Sequence, residues 1–374
     1  MKKILYIVST LKSTGPTNQL YNIIKYLDRT DFEPYVITLS PDPENSRLTD
    51  YKYLGVKVFT LGLSRFSGLF LAKSSIKKLV DQIVPDVIHT QGIRPDVLSA
   101  KLDVLIPRLA TIRNFPQYDY AMTYGRLLGV LMTWQHSKAM RKLNVCVGVS
   151  ESVSSNLGEY VELSNAKTIC NGVDTELYSP VSAKEKRVLR KALDLSSDAE
   201  IWISSGHLSD LKNPIFLINA WIRVFPNDKQ KQLIFIGDGP LKRECENIAK
   251  GHSNIIFPGR VTNVTDFLKA GDYYVSASKS EGLPNAVLEG LACGLPVLLS
   301  DIPPHREMWE MEKGIGRLFY VGDDQSLEFN FRELVESDRF GRSRAALALI
   351  EDKLSAEKMS QIYQDTYDDL IKGS

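Results

Sequence analysis

Ser280-Glu281-Gly282-Leu283-Pro284-Asn285-Ala286-Val287-Leu288-Glu289-Gly290-Leu291-Ala292-Cys293-Gly294-Leu295-Pro296-Val297 lies between two short apolar runs, Tyr273 to Ser276 and Pro296 to Leu299. The runs read as buried parallel strands, and the segment between them as a loop followed by a helix. Pro284 stands where a first helical turn begins, because its fixed φ suits that position and its missing N–H costs nothing there. The free N–H groups of such a helix start attract phosphate. Glu289 follows Asn285 by four residues, so both project from one face of the helix, while Glu281 sits in the loop before it. Two carboxylates beside an anion-binding helix start suit sugar hydroxyls, which donate hydrogen bonds to them.

The same grammar runs outward in both directions. Strands are expected at Lys3 to Val8, Glu33 to Leu39, Val56 to Phe59, Asp86 to His89, Leu109 to Ile112 and Val145 to Val149. A second series is expected at Ile201 to Ser205, Gln232 to Ile236, Ile255 to Phe257, Tyr273 to Ser276 and Pro296 to Leu299. Helical patterns, among them Asn18 to Leu27, Ser74 to Ile83, Leu241 to Lys250 and Val264 to Lys269, alternate with them. Two such series predict an α/β protein of two doubly wound domains, with the ligand site at the C-terminal edges of the two sheets, in the cleft between them. The expected division is residues 1–180, residues 181–355 and a C-terminal helix, 356–374, packing back on the first domain.

Bulk properties narrow the function. The 374 residues suffice for two cores, and 43% hydrophobic with 24% charged residues is ordinary globular composition. With 46 basic and 45 acidic residues the net charge is +1, which gives no footprint for nucleic acid. Cys146, Cys170, Cys245 and Cys293 have no C-x-x-C spacing and read as thiols of a reducing compartment. The opening run, Lys3 to Val8, is short and without a cleavage site, so a buried first strand is expected rather than a signal peptide. No stretch approaches the ~20 apolar residues of a spanning helix, and a cytoplasmic protein is expected. Tyr124 to Lys142 reads as a basic amphipathic helix, for which two readings stand: packing on its own domain, or contact with an anionic membrane.

The segment S-E-G-L-P-N-x-x-L-E-x-x-A-C-G-x-P-V resembles the paired-glutamate motif, E-x7-E, of the retaining glycosyltransferases of family 4 (glycosyl transferases group 1), which have the GT-B fold. Further matches follow in the family's order over nearly the whole chain. Val149-Ser150-Glu151 resembles its V-S-E, and Asn171-Gly172-Val173-Asp174 with Tyr178 and Pro180 resembles its N-G-V-D-x-x-x-F-x-P. Gly237-Asp238-Gly239-Pro240 resembles its G-D-G-P, although a plain strand-to-helix turn explains the same residues. Gly259-Arg260 resembles the stretch near the nucleobase. Gly206-His207-Leu208 with Lys212-Asn213 resembles G-R-L-x-x-x-K-[GN], whose Arg and Lys hold the donor diphosphate.

The resemblance implies transfer of a sugar, with retention of configuration, from a nucleotide-diphosphate donor, UDP- or GDP-linked, to a glycan or lipid-linked acceptor. It implies that the leaving phosphate oxygen takes the acceptor proton. Lys212 and the helix start formed by Gly282, Leu283, Pro284 and Asn285 then serve the diphosphate, Glu281 the donor sugar and Glu289 the ribose, with Arg260 near the base. Bacterial surface polysaccharide is the expected product, made at the inner face of the plasma membrane. No D-x-D motif precedes these elements, so no obligatory metal and no cofactor is expected.

Three positions depart from the pattern. His207 stands for the usual Arg, offering one donor and no charge when neutral. The first loop, Ser13-Thr14-Gly15-Pro16-Thr17, keeps one glycine, so close approach to a donor phosphate is expected at Gly15 only. Arg113, in Thr111-Ile112-Arg113-Asn114, stands for the family's His. It fits a group that orients a sugar oxygen or binds an acidic ligand, and fits a structural ion-pair partner as well. These departures leave a second reading open, a catalytically weak nucleotide-sugar-binding partner of another transferase. His89 ends a buried strand and reads as a core histidine.

Overall fold

The computed structural model describes residues 1–373, with backbone alone at positions 65 and 69. Thirteen strands form two parallel sheets. The first holds β1 (Lys2–Val8), β2 (Phe32–Thr38), β3 (Lys57–Thr60), β4 (Val87–Gln91), β5 (Arg108–Ile112), β6 (Val145–Gly148) and β7 (Ala166–Thr168). The second holds β8 (Glu200–Ser205), β9 (Lys231–Ile236), β10 (Ile255–Gly259), β11 (Tyr273–Ser276), β12 (Val297–Ser300) and β13 (Gly316–Phe319). Their orders are β3-β2-β1-β4-β5-β6-β7 and β10-β9-β8-β11-β12-β13. Each sheet therefore reverses beside its own first strand, at β1/β4 and at β8/β11, where loops diverge and leave a crevice. These are two Rossmann-like units.

The unbroken apolar runs have a simple cause. On β1, Ile4, Tyr6 and Val8 join the core on one face of the sheet, and Leu5 and Ile7 join that on the other. Both faces are covered, so alternation is lost. In the second unit Trp202 of β8 stacks on Tyr273 of β11, with ring centroids 4.4 Å apart, and meets Trp221 and Phe331 edge-on. Such aromatic contacts pin the register of neighbouring strands.

The chain divides into Met1–Gly172 with Ala356–Ser374, and Val173–Ser355. The expected boundary at 180/181 thus lies eight residues too late. The reason is local: Val173 N–H donates to Leu354 O at 2.9 Å, and Val173 pairs with Ser355. Gly172, one residue earlier, is held in the first unit by the Gln19 side chain, which donates to its carbonyl (2.9 Å) and accepts from its N–H (3.2 Å). The helix Ala356–Lys372 belongs to the first unit, packing against the helix Gly15–Lys25. From it Tyr363, Tyr367 and Met359 enter the core.

The stretch expected as one amphipathic helix, Tyr124 to Lys142, is the single helix Arg126–Met140. The helix Pro116–Tyr124 ends at Gly125, whose φ of +85° suits glycine, and a new helix runs Arg126–Met140. The two pack so closely that a Cβ on Gly129 would lie 2.5 Å from the Ala121 backbone. The second helix is polar inside and apolar outside. Thr133, His136 and Ser137 are buried, whereas Leu127, Val130, Leu131 and Trp134 are each more than half exposed. Among the described residues no helix is long and apolar enough to cross a membrane.

Candidate functional site

In the second unit a pocket opens at the β8/β11 reversal. Its walls come from the end of β8 (Ser204, Ser205), the loop after it (Gly206, His207, Leu208, Lys212) and the segment after β11 (Ala277, Ser278, Glu281, Pro284). The loop is braced rather than slack. Gly206 N–H donates to Ile236 O, Leu208 N–H to Asp238 O and Leu241 N–H to Leu208 O, all at 2.9–3.0 Å. Gly237 is the residue that permits this, because a Cβ there would stand 1.9 Å from Gly206 O. The Gly-Asp-Gly-Pro turn thus acts as a plain support that lets two loops touch. Asn213 has φ +52°, a left-handed conformation that glycine and asparagine tolerate best.

Lys212 Nζ forms a salt bridge with Glu281 Oε1. The lysine side chain is 33% exposed and the glutamate 13%, so the cation is the more accessible half of the pair. His207 is exposed on the same wall. The helix Asn285–Ala292 begins beside them, and Pro284 is its N-cap (φ −76°, ψ 108°) rather than a residue of its first turn. Its N-terminal N–H groups and Lys212 make an environment suited to a diphosphate. Leu283 is buried and Gly282 half-buried.

Glu289, on that helix, is not in the pocket wall. Burial raises its carboxyl to about 7, partly offset by a hydrogen bond from the Tyr178 hydroxyl. Tyr178 in turn is pushed up by burial and by the neighbouring carboxylate. Arg260 is exposed just beyond β10. The structure therefore brings His207, Lys212, Glu281 and Pro284 into one pocket and sets Glu289 and Arg260 outside its wall.

Gly15 and Arg113 belong to the other unit. Gly15 is the first residue of the helix Gly15–Lys25, and Thr14 before it makes no side-chain capping bond. Arg113 follows β5 and donates to Asn171 Oδ1 at 3.0 Å and to Gln91 Oε1 at 2.9 Å. Burial holds its guanidinium below the ordinary arginine range. Both partners are neutral amides, so the structural ion-pair reading of Arg113 does not describe it. His89 is a core histidine: its ring nitrogens bond Tyr367 and Thr111, both at 2.8 Å, and burial depresses it to about 3.

Arg113 also lines a separate cavity of about 250 Å³ at the C-terminal ends of β4 and β5, together with Gln91, Asp96, Tyr120 and His136. There His136 Nε2 bonds Asp96 Oδ2 and His136 Nδ1 bonds the Tyr120 hydroxyl, each at 2.8 Å. Sequence reasoning found Arg113 of this group and missed the other four. Its members lie on five different segments with no spacing that links them. Ser205 and Tyr274, bonded at 3.2 Å in the donor-side pocket, were missed for the same reason.

Comparison with known proteins agrees with this architecture. Residues 13–177 match the family described as Glycosyltransferase Family 4, and residues 200–337 match Glycosyl transferases group 1. The chain is 24% identical to the Escherichia coli O-antigen biosynthesis glycosyltransferase WclY, over 99% of each chain. It is 25% identical, over 76% of its length and 79% of the relative's, to the E. coli UDP-Gal:alpha-D-GlcNAc-diphosphoundecaprenol alpha-1,3-galactosyltransferase. Among solved structures it resembles Anabaena HepE in complex with UDP (TM-score 0.81, 20% identity, 99% and 100% of the chains covered). It also resembles sucrose-phosphate synthase from Thermosynechococcus elongatus (TM-score 0.85, 16% identity, both chains covered in full). Two Rossmann-like units, each matched in order by its half of the family, lead to one conclusion: the chain belongs to the family 4 (group 1) glycosyltransferases and has the GT-B fold.

Proposed function

We propose that this chain moves a hexosyl group, with retention of configuration, from a nucleoside-diphosphate sugar to a hydroxyl of a lipid-linked saccharide in the assembly of a bacterial surface polysaccharide. The observation that carries this reading is the Lys212–Glu281 pair beside the start of the helix Asn285–Ala292. A donor diphosphate entering there meets a cation and a helix N-terminus, while the freed Glu281 accepts hydrogen bonds from sugar hydroxyls. As the bond to the anomeric carbon breaks, negative charge grows on the leaving phosphate and the fixed positive groups lower the barrier. The phosphate oxygen then takes the acceptor proton. His207 adds a single donor on the exposed wall, and Glu289, steadied by Tyr178, holds the ribose hydroxyls. Arg260 is assigned to the nucleobase edge. The chemistry uses no obligatory metal and no cofactor.

The donor is assigned as UDP-linked first and GDP-linked second, since the galactosyltransferase relative is named for UDP-galactose and HepE was solved with UDP. The O-antigen relative supports the polysaccharide assignment. The outward apolar face of the helix Arg126–Met140, flanked by exposed Arg126, Lys138, Arg141 and Lys142, supports contact with an anionic membrane surface on the cytoplasmic side, where lipid-linked acceptors reside.

The deciding experiment is a thermal-shift panel of UDP, GDP, ADP, CMP and their sugar conjugates without added metal. A ligand at 100 times its Kd stabilises the fold by about 2.7 kcal/mol. A shift with one diphosphate and its sugar conjugate, followed by turnover on a lipid-linked acceptor, supports the reading. A shift without turnover on any acceptor favours the non-catalytic binding partner, and no shift at all refutes both.

A further inference from the structure

The backbone that carries Lys212 and Glu281 is held from behind the pocket wall by one buried histidine. His305 belongs to the first turn of the helix Pro303–Met311 and is fully buried. Its Nδ1 stands 2.8 Å from Ser300 O and 3.1 Å from Ser300 Oγ. A carbonyl oxygen only accepts, so Nδ1 carries the proton of the ring and donates to Ser300. Burial keeps the ring neutral by depressing it to about 4. Nε2 is then a bare lone pair, and it has no hydrogen-bond partner among the described residues. The ring acts through Nδ1 alone.

That bond is passed on. Ser300 ends β12, and its hydroxyl donates to Ser278 O at 2.6 Å. The side chain thus continues the β11/β12 pairing past its last backbone pair, Ser276 with Leu299. The peptide unit that accepts there donates on its other side, from Lys279 N–H to Leu211 O at 2.7 Å. The next peptide unit does the same, from Lys212 N–H to Ser209 O at 3.0 Å. His305 Nδ1–H, Ser300 O–H, Lys279 N–H and Lys212 N–H therefore all point one way, and the last two links are rigid planes. Bonds in such a head-to-tail chain polarise and strengthen one another. Ser278 lines the pocket together with Lys212 and Glu281, the pair whose backbone this chain sets.

We propose that His305 is a positioning residue of this pocket, one that fixes Lys212 against Glu281 through Ser300 and the Ser278–Lys279 peptide without touching the ligand. The proposal rests on the reading of the pocket as the seat of a nucleoside diphosphate. Lys212 meets that group with a single ammonium, so a small displacement of its backbone carries straight to the charge that binding uses. The helix start explains why a side chain is needed. Pro303 and Pro304 open the helix and have no N–H to give, so the donor at this end is the imidazole that follows them.

Nucleotide binding to the full chain tests it, by calorimetry with UDP and by saturation-transfer NMR with uridine, which lacks the diphosphate. GDP and guanosine replace them where GDP is the nucleotide bound. His305→Leu is expected to weaken UDP about tenfold and to leave uridine unchanged. His305→Asn, whose amide N–H₂ reaches the place of Nδ1–H, is expected to restore most of the affinity. In a Lys212→Ala background His305→Leu is expected to add nothing, because the chain then has no cation to aim. Ser300→Ala breaks the next link and is expected to match the loss, and it carries the test where His305→Leu does not fold. Equal UDP affinity in wild type and variants, a loss shared by uridine, no rescue in His305→Asn, or a full effect without Lys212 each overturns the positioning role while UDP binding by the wild type stands. Failure of the wild type to bind UDP or GDP overturns the reading of the pocket, and the role of His305 with it.

Discussion

The strands of the first unit run β3-β2-β1-β4-β5-β6-β7 and those of the second β10-β9-β8-β11-β12-β13, so the two sheets open equivalent crevices. What lines them differs in kind. In the second unit the polar groups are charged, partly exposed and paired with each other, as Lys212 is with Glu281. In the first they are buried, committed through one atom and idle through another, as Gln91, Asp96 and Arg113 are. Lys212 is a third exposed and Glu281 mostly buried, so a ligand that takes over the lysine must also satisfy the glutamate. Idle buried atoms are out of reach of water, which makes leaving them unpaired costly. One topology thus supports an open pocket built around an ion pair and a cavity lined by buried polar side chains.

The sharpest way to break this contrast is at Lys212. Lys212→Ala removes the cation of the pocket and is expected to lower turnover ~100-fold or more. Equal rates in a steady-state UDP-release assay would remove Lys212 from the reaction. Glu289→Ala comes next, weakening UDP binding by about 1.5–3 kcal/mol through lost carboxylate–hydroxyl bonds. Calorimetry showing wild-type affinity would sink the ribose assignment. Replacing Leu131 and Trp134 by serine is expected to lower co-sedimentation with phosphatidylglycerol vesicles about tenfold. Both side chains are more than half exposed, so the melting temperature is expected to hold, and undiminished sedimentation would dissociate that face from the membrane.

A smaller effect concerns pH. The Glu289 carboxyl is raised from 4.5 to about 7, so its contribution to stability is complete below about pH 4.5 and lost as pH rises through 7. Glu289→Gln, which cannot ionise, is expected to gain about 2–4 °C over the wild type between pH 5 and pH 8. A constant difference across that range would contradict the burial of this carboxyl. The smallest expected effect is that of a chelator on turnover, none, and a loss restored by a divalent cation would overturn the metal-free assignment.

The parallel strands buried on both faces were legible as apolar runs. The edge strands β7 and β13 were not, because three or four residues that include half-buried Lys167 or Arg317 carry no such run. Lys212, Glu281 and Pro284 were legible because one loop-and-helix segment and one loop hold them at fixed spacing. Of these cavity residues Arg113 alone was legible; Gln91, Asp96, Tyr120 and His136 join it by packing from separate segments. The helix Arg126–Met140 was legible, but not that its apolar side chains face outward, since periodicity does not tell which face is buried.

The helix Ala356–Lys372 has a consequence for how the protein is made. Tyr367 bonds His89 and Tyr6, and Tyr363 bonds Thr111, so the middle of the first sheet is closed by residues that follow the whole second unit in the chain. The second unit, continuous from Val173 to Ser355, has all its parts when that helix is only beginning to emerge. On the ribosome the usual order of domain folding is therefore inverted. The second unit is complete first, and the first keeps an unfilled groove beside Tyr6 and His89 until the helix Ala356–Lys372 has been made.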